Sequence, residues 1–284
     1  MVKQLRITVL VENTAGAMGL LAEHGLSLWI EVDGLNLLFD TGQGMVLNHN
    51  AEVLGIDLAT TDSVILSHGH YDHTGGMCEA SGRFRNATLY VHPEAFKPKF
   101  VQHDDGTSQL ASAEIADMAD ARRRFAKVVT TGGPTQLTDG VWITGEIPRH
   151  CDFEDTGGAF YLDEACTVED PLVDDQALCI ESNEGLVVIL GCAHSGLVNT
   201  LDYVADTAGC SRIHAVLGGM HLLHASDERI AKSLDALRRY DVRLIGPAHC
   251  TGLRGVTAVM TARPDRFVPV RVGTRIVIPP GTSS

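Results

Sequence analysis

The sequence lacks an apolar run long enough to cross a membrane. A transmembrane helix needs about 18 or more consecutive apolar residues, whereas the mostly apolar stretch 5–11 is interrupted by Glu12 and Asn13. The same interruption makes this stretch shorter than the core of a signal peptide. We therefore expect a cytoplasmic protein.

The chain also lacks an excess of positive charge. Its 36 Asp and Glu residues outnumber its 22 Lys and Arg residues, which gives a formal net charge of −14 at pH 7. Nucleic-acid backbones and anionic membranes repel such a chain. We therefore expect neither as its main partner, whereas a local basic pocket for a small anion and a homo-oligomer are both compatible with the sequence.

Cys-x-x-Cys pairs, low-complexity linkers and short tandem repeats are absent as well. The seven cysteines are an odd number and widely scattered, which fits reduced thiols better than a disulfide framework. With 44% hydrophobic and 20% charged residues, the composition is that of a globular protein. We predict a single domain over residues 1–284, because one α/β domain often reaches this size.

Short apolar runs bounded by turn residues predict an α/β order of elements. The predicted strands are 5–11, 26–32, 35–39, 63–66, 88–91, 185–190, 214–217 and 241–245. Amphipathic helices follow the strands 185–190 and 214–217, and another is predicted at 113–125 with Ser112 as its N-cap. Two irregular stretches, 93–112 and 146–176, are typical of functional covers.

Histidine is abundant, with thirteen residues, and four potential metal ligands stand within six residues in His68-x-His70-x-Asp72-His73. Residues 68 and 70 of an extended strand point to one face, and the break at Gly69 allows the following turn to bring the later pair to the same side. Histidine is a common ligand of zinc and related metals. Because packing rarely explains coordinating side chains at this density, the run predicts a metal site.

Histidines also follow four predicted strands in the same manner. Each apolar run is followed by a small or turn-forming residue and then by a histidine: His68, His194, His221 and His249. In layered α/β proteins the loops at one edge of a sheet collect the ligands of a site. We therefore expect these side chains to meet.

His68-x-His70-x-Asp72-His73 with the later His194 and His249 resembles the metallo-β-lactamase superfamily, and Leu-Phe-Asp-Thr-Gly at 38–42 resembles the first turn of that family. The resemblance spans nearly the whole chain. It implies an αββα sandwich in which two mixed sheets are flanked by helices. It also implies two divalent metal ions, the first bound by His68, His70 and His194, the second by Asp72, His73 and His249.

The sequence departs from the family at one place. The family usually has an aspartate that bridges both metals after a strand between the last two histidine motifs, whereas this chain has Gly218-Gly219-Met220-His221-Leu222. Three interpretations of His221 follow. It replaces the bridge as a terminal ligand, it acts on the substrate as an acid or hydrogen-bond donor, or it is a supporting residue without contact to metal or substrate.

Three further runs, 191–196, 218–222 and 247–252, together resemble the branch of dihydropterin ribofuranosylaminobenzene phosphate synthases, and 144–149 and 174–178 are similar to it too. This resemblance implies condensation of a dihydropterin pyrophosphate with an aminobenzene ribose phosphate. Arg149 and the helix N-terminus after Ser195 are candidate contacts for a substrate anion, and Asp174 or Asp175 for the donor edge of a pterin. The alternatives are a structural ion pair for Arg149 and a solvated loop charge for Asp175.

These features predict a metal-dependent hydrolase or transferase acting on a small anionic substrate. A metal pair lowers the pKa of bound water from about 16 to about 7, and Asp72 would both ligate metal and orient that water. Nitrogen and carboxylate ligands favour zinc, while iron and manganese remain alternatives. The competing functions are a generic phosphodiesterase or lactonase, a metal-dependent redox protein, and a non-catalytic metal or redox sensor.

Overall fold

The computed structural model of the chain describes residues 1–80, 82–103, 105–112 and 117–278. Within these ranges the strands are β1 Leu5–Val11, β2 Ser27–Val32, β3 Leu35–Phe39, β4 Ser63–Ile65, β5 Thr88–Val91, β6 Phe100–Gln102, β7 Ser108–Leu110, β8 Lys127–Thr130, β9 Thr135–Thr138, β10 Val141–Ile143, β11 Phe160–Tyr161, β12 Leu178–Ser182, β13 Gly185–Leu190, β14 Ile213–Gly219, β15 Leu244–Ala248 and β16 Arg275–Ile278. The α-helices are α1 Leu47–Val53, α2 Tyr71–Thr74, α3 Gly76–Glu79, α4 Met118–Arg124, α5 Leu197–Ala208, α6 Asp227–Arg239 and α7 Gly252–Ala262.

The strands form two large mixed sheets. In the first sheet the order is β16-β1-β2-β3-β4-β5-β8, antiparallel as far as β3 and parallel from β3 to β8. In the second the order is β15-β14-β13-β12-β10-β9, with β13, β14 and β15 parallel and the rest antiparallel. Each sheet therefore has a parallel half, and the strands of that half end at a common edge.

Successive side chains on a strand alternate between the core that lies between the two sheets and the outer face that the helices cover. In β13, Val187 and Ile189 pack in the core between the two sheets, whereas Leu186, Val188 and Leu190 pack on the outer face. Helices α5, α6 and α7 cover that outer face, and α1, α3 and α4 cover the outer face of the first sheet. Because both faces of these strands are buried, their sequences are almost continuously apolar. The predicted αββα fold class is confirmed.

A small third sheet joins the two stretches that we expected to be irregular. Its order is β11-β6-β7, so one strand comes from the stretch 146–176 and two come from the stretch 93–112. The prediction that both stretches lack secondary structure is therefore wrong. These strands have two or three residues each, too few to show a period in the sequence.

The helix predicted at 113–125 is shorter in the described part of the chain. It begins at Met118, and the side chain of Asp117 caps it by accepting a hydrogen bond from the N–H of Asp120 over 2.8 Å. Ser112 instead forms a β-bridge with His70, so the prediction of Ser112 as the cap is wrong. Residues 113–116 of the predicted helix lie outside the described residues.

The strand predicted at 241–245 lies three residues further along, at Leu244–Ala248. Asp241 has a left-handed backbone with φ of 47°, and its N–H donates to the carbonyl of Arg238 over 2.9 Å. It therefore belongs to the turn that ends α6. Among the described residues no helix combines the length and the apolar composition that crossing a bilayer requires.

Candidate metal centre

The histidines that follow four strands converge at the facing edges of the two sheets. His68 follows β4 of the first sheet, and His194, His221 and His249 follow or end the neighbouring parallel strands β13, β14 and β15 of the second. The rings of His68 and His194 have centroids 4.8 Å apart, and those of His194 and His221 are 4.4 Å apart. The topology predicted from the sequence thus brings these side chains together.

His68, His70 and His194 form a first group. Their ring centroids lie 4.6 to 4.9 Å from one another, and the residues are between 0% and 5% exposed. His68 Nε2 lies 3.0 Å from His70 Nδ1, and the buried Nε2 of His194 has no hydrogen-bond partner among the described residues. Since burying a polar atom without a partner is costly, the Nε2 of His194 fits a metal ion as its missing partner.

Hydrogen bonds fix the tautomers of two of these rings. His194 Nδ1 lies 2.8 Å from the carbonyl oxygen of Thr156, which only accepts, so Nδ1 donates and Nε2 keeps its lone pair. His68 Nδ1 lies 2.8 Å from Ser67 Oγ, whose own proton points to Asp40 Oδ2 over 2.7 Å. His68 therefore donates through Nδ1 as well, and its Nε2 is left as the ligand atom.

Asp72, His73 and His249 form a second group. Asp72 Oδ2 lies 3.1 Å from His249 Nε2 and 3.7 Å from His73 Nε2, and the two Nε2 atoms are 3.2 Å apart. The three ligand atoms that the resemblance implies for a second metal are therefore adjacent. His24, which the sequence analysis missed, joins them, because its Nε2 lies 3.2 Å from Asp72 Oδ2.

Asp40, in the first turn of the family pattern, orients this second group. Its Oδ2 accepts a hydrogen bond from His73 Nδ1 over 2.7 Å, and its Oδ1 accepts one from the N–H of Ser67, also over 2.7 Å. Oδ1 thus holds the end of the strand that precedes His68, and Oδ2 holds the ring of His73. Partners of this kind fix the ring orientation of metal-binding histidines.

The loop after β1 supports His249 in the same way. Asn13 Oδ1 lies 2.9 Å from His249 Nδ1 and also accepts the N–H of Gly25, while Glu12 Oε1 accepts the N–H of His249 over 2.9 Å. In the sequence Glu12 and Asn13 only marked the end of an apolar run. Their contacts reach across 236 positions or more of sequence, and no local pattern reveals such pairs.

Burial keeps the first group neutral. It lowers the pKa of His70 to about 3 and holds the pKa of His68 and His194 well below the ordinary value of 6.5. A metal ligand must be a neutral imidazole, so these rings need no deprotonation to bind a cation. Burial alone accounts for most of this preference.

In the second group, the combined effect of neighbouring charges on the pKa values outweighs that of burial. Burial lowers the pKa of His73, but the nearby carboxylates of Asp72 and Asp40 outweigh it and raise the pKa to about 9. Burial raises the pKa of Asp72, yet the neighbouring histidines, first of all His73, hold it well below its usual range. Asp72 is therefore a carboxylate, and it supplies the negative charge that a divalent cation requires.

Two thiols lie in the same cluster and were not identified as site residues from the sequence. Cys192, His221 and Cys250 form one group, and Cys192 also groups with His68 and His194, with all ligand atoms in each group within 4.8 Å of one another. Burial raises the pKa of Cys192 well above its ordinary value. The signal was their position, because Cys192 stands two residues before His194 and Cys250 directly follows His249.

Four non-glycine residues around the cluster have left-handed backbones. They are Asp40, Ala193, His221 and His249, with φ between 49° and 55°. Such residues cost about 1–3 kcal/mol each and cluster at functional sites. The strand ends are thus bent to aim these side chains or their neighbours at a common point.

A cavity of about 810 Å³ opens beside the cluster. Its lining residues are Arg149, Asp155, Thr156, Gly157, Gly158, Ala159, Phe160, Tyr161, Glu169, Asp170 and Pro171. The Phe160 ring lies 4.7 Å from the ring of His70 and 5.4 Å from that of His194. The irregular stretch 146–176 therefore covers the site, as the sequence predicts.

The residues predicted to contact substrate lie in different surroundings. Arg149 lines the cavity, is exposed, and donates from Nη2 to the carbonyl of Leu172 over 3.2 Å. Asp175 is 1% exposed and its Oδ2 accepts the backbone N–H of Ser195 over 2.8 Å. The alternative of a solvated loop charge for Asp175 is therefore wrong.

The N-terminus of α5 is already bonded to an acidic side chain of the chain itself. Glu154 accepts the N–H groups of Val198 and Asn199, both over 2.9 Å, and the N–H of Ser195 is bound to Asp175. The N–H groups of Ser195, Val198 and Asn199 are therefore already satisfied by internal carboxylates, and anion binding at this helix end stays a prediction. Of the predicted anion contacts, Arg149 alone faces the cavity.

A buried ion triad ties the two cover stretches to the histidine run. Lys99 Nζ lies 2.9 Å from Asp170 Oδ2 and 2.9 Å from Asp174 Oδ1, and Lys99 is 1% exposed. Asp174 Oδ2 in turn accepts the N–H of Gly69 over 2.8 Å. Asp174 is therefore committed to holding the backbone between His68 and His70.

The family model of the metallo-β-lactamase superfamily matches residues 21–249, which include every residue of both histidine groups. The chain belongs to this superfamily. Members generally bind divalent metals such as zinc, in agreement with the unpartnered nitrogens of the cluster. The family predicted from the sequence is confirmed.

Individual relatives match over nearly the full length. The chain is 30% identical over 287 residues to the 7,8-dihydropterin-6-methyl-4-(β-D-ribofuranosyl)-aminobenzene-5'-phosphate synthase of Methanocaldococcus jannaschii, with 96% of each chain covered. It is 29% identical to an uncharacterised protein of the same archaeon, covering 96% of this chain and 100% of that one. The crystal structure of Tm1679, a metal-dependent hydrolase of the β-lactamase superfamily, has a TM-score of 0.82 and 30% identity, covering 97% and 99%.

Proposed function

We propose that this protein is a metal-dependent hydrolase or transferase that acts on a small anionic substrate. The observation that carries the proposal is the buried Nε2 of His194, which has no hydrogen-bond partner among the described residues and lies in a cluster with the rings of His68 and His70, beside a cavity of about 810 Å³. A packed core has no use for such an atom, whereas a metal site uses it as a ligand.

Two divalent ions fit the two groups of ligands. In this proposal the first is held by His68, His70 and His194, the second by Asp72, His73 and His249. Zinc suits imidazole nitrogens with one carboxylate, and iron or manganese are the alternatives. Contacts at Nδ1 fix the rings of His194, His73 and His249. They support the assignment, because in each ring the Nε2 atom then faces the cluster.

The residues of the chain divide the chemical work. Bound divalent ions supply a water of lowered pKa and stabilise negative charge on a substrate oxygen. Asp72, kept ionised by its histidine neighbours, would ligate metal and orient that water. Arg149 at the rim of the cavity pairs with the anionic part of the substrate, and Phe160 offers an aromatic face next to His70.

The finer proposal is a condensation of a dihydropterin pyrophosphate with an aminobenzene ribose phosphate. It is supported by the synthase of M. jannaschii, 30% identical with 96% coverage, and by the aromatic side chains Phe160 and Tyr161 in the cavity lining, which suit planar rings. The competing substrates are generic phosphodiesters and lactones.

The experiment is a turnover assay of the metal-loaded enzyme with three substrate sets: the pterin pair, a chromogenic phosphodiester and a lactone. We expect release of pyrophosphate with the pterin pair. His68→Ala and Asp72→Ala should abolish turnover and keep the circular dichroism spectrum, while His49→Ala, an exposed histidine in α1, should leave turnover unchanged. Full activity of the well-folded site variants contradicts the assignment, and binding without turnover of any substrate identifies a sensor.

A further inference from the structure

Strand β14 ends where the family's bridging aspartate is missing, and the structure shows what fills that place. A Cβ atom added to Gly219 would lie 2.4 Å from the carbonyl oxygen of Gly191 and 2.6 Å from Cys250 Sγ. Both distances are too short for any side chain. The glycine is therefore required by its surroundings, and the thiol of Cys250 stands where a side chain at 219 would begin.

The thiol of Cys192 lies on the other side of the same gap. Its Sγ is 3.1 Å from His73 Nε2, and Cys250 Sγ donates to the carbonyl oxygen of Cys192 over 3.4 Å. Cys192 and Cys250 are 3% and 8% exposed. The sulfur of Cys192 is thus within reach of His73 and His249 in the second histidine group, and both thiols are shielded from solvent.

His221 completes the cluster with a free nitrogen. Its Nε2 lies 3.2 Å from the carbonyl oxygen of Gly157 and therefore donates to it, while its Nδ1 is buried and has no hydrogen-bond partner in the described part of the chain. The ligand atoms of Cys192, His221 and Cys250 all lie within 4.8 Å of one another. The left-handed backbone of His221, with φ of 49°, aims the ring at this position.

We propose that Cys192, His221 and Cys250 form a thiolate-containing metal subsite, with Cys250 in the place of the absent bridging carboxylate. The inference rests on the proposed function, because it adds ligands to the same metal cluster. It selects a thiophilic divalent cation such as Zn²⁺ over a hard one such as Mg²⁺, since thiolates are soft ligands. Binding converts a thiol into a thiolate and releases its proton to solvent.

The test on the unaltered protein is X-ray absorption spectroscopy at the zinc edge, with the enzyme loaded with Zn²⁺ under reducing conditions. We expect a sulfur shell at about 2.3 Å in addition to a nitrogen and oxygen shell at about 2.0–2.1 Å. A spectrum with nitrogen and oxygen neighbours alone overturns the thiolate subsite but leaves the proposed function intact. Absence of bound zinc contradicts both.

A variant series supplies a second readout through Cd²⁺, whose bonds to thiolates give a charge-transfer absorption in the ultraviolet. Cys250→Ser should lose most of this absorption and bind Cd²⁺ more than about 10-fold more weakly, the loss that even a supporting residue can cause. Cys210→Ser, which removes a thiol after α5 and outside the cluster, should match the wild type. Equal absorption in both variants overturns the proposal. If Cys250→Ser does not fold, the zinc-edge spectrum of the unaltered protein decides between the two outcomes.

Discussion

Asp40 and His73 are joined by a hydrogen bond of 2.7 Å between Oδ2 and Nδ1, and both side chains are fully buried. The same carboxylate accepts two further bonds from Ser67. One residue of the first turn thus controls the direction of a proposed ligand on a helix 33 positions away. The relationship gives a physical role to a residue that would contact neither metal nor substrate.

The first prediction concerns this pair. Asp40→Asn should lower zinc affinity by about 10- to 100-fold, because the amide no longer fixes the ring of His73 as a carboxylate does. Competition with a chromophoric chelator measures the affinity. Asp62→Asn removes an exposed carboxylate that accepts the N–H of Asn36 and should leave zinc binding unchanged; equal effects of both substitutions would refute the role of Asp40.

The second prediction concerns the cover over the cluster. Gly157 has φ of +80°, and an added Cβ would lie 1.8 Å from Cδ2 of His221, so Gly157→Ala should displace the loop and lower kcat/KM by about 100-fold. Gly209 has φ of +58°, and a Cβ added there would have no atom of the described residues within 4 Å. Both substitutions should cost about 1–2 kcal/mol of stability for the left-handed backbone, but Gly209→Ala should keep full activity. Steady-state kinetics and urea unfolding separate the two effects.

The third prediction concerns the buried triad around Lys99. Lys99→Met leaves two carboxylates buried without their cation and should reduce the free energy of unfolding by about 3–5 kcal/mol. Lys97→Met breaks the exposed pair with Glu94 and should cost at most about 1 kcal/mol. Urea unfolding of both variants checks the difference. If the two proteins unfold at the same urea concentration, the triad does not hold the cover in place.

The fourth prediction is the pH dependence of stability in the metal-free protein. Burial lowers the pKa of His70 to about 3, so below about pH 6.5 the unfolded chain binds a proton that the folded chain does not. The free energy of unfolding should therefore fall as the pH falls, by up to about 1.4 kcal/mol per pH unit for each such histidine. His68 and His194 act in the same direction.

His73 has the opposite sign. Its pKa is raised to about 9, so its contribution is complete below about pH 6.5 and is lost as the pH rises through 9. Urea unfolding in the presence of a chelator should thus show a histidine-dependent decline on both sides of about pH 6.5. His70→Gln should make the acid side less steep and leave the alkaline side unchanged, because His68 and His194 remain. An acid side that stays equally steep in this variant would rule out His70 as its source.

Helix α6 was predictable from the signals at its ends, whereas α5 was predicted from its amphipathic pattern without such signals. Helix α6 has Ser226 as an N-cap that accepts the N–H of Arg229, with Asp227 and Glu228 in the first turn. Helices α1 and α7 have neither a side-chain cap nor an acidic residue in the first turn, and neither helix was predicted from the sequence. The single domain over residues 1–284 stays a prediction.

The candidate site likewise has one part that was predictable from the sequence and one part that was not. His68, His70, Asp72 and His73 stand close together in sequence, so their convergence follows from local geometry. Contacts such as Asn13 with His249 join residues 236 positions apart and depend on how the two sheets face each other. Distances of that kind arise from packing, which the residue pattern of one chain does not express.

The most direct test of a metal centre at this cluster is a crystal structure with anomalous diffraction data on both sides of the zinc, iron and manganese edges. We predict anomalous peaks within bonding distance of imidazole nitrogens of His70 and His194, and of the carboxylate of Asp72, with zinc as the element. Well-ordered crystals of metal-supplemented protein without an anomalous peak at the cluster would contradict the account.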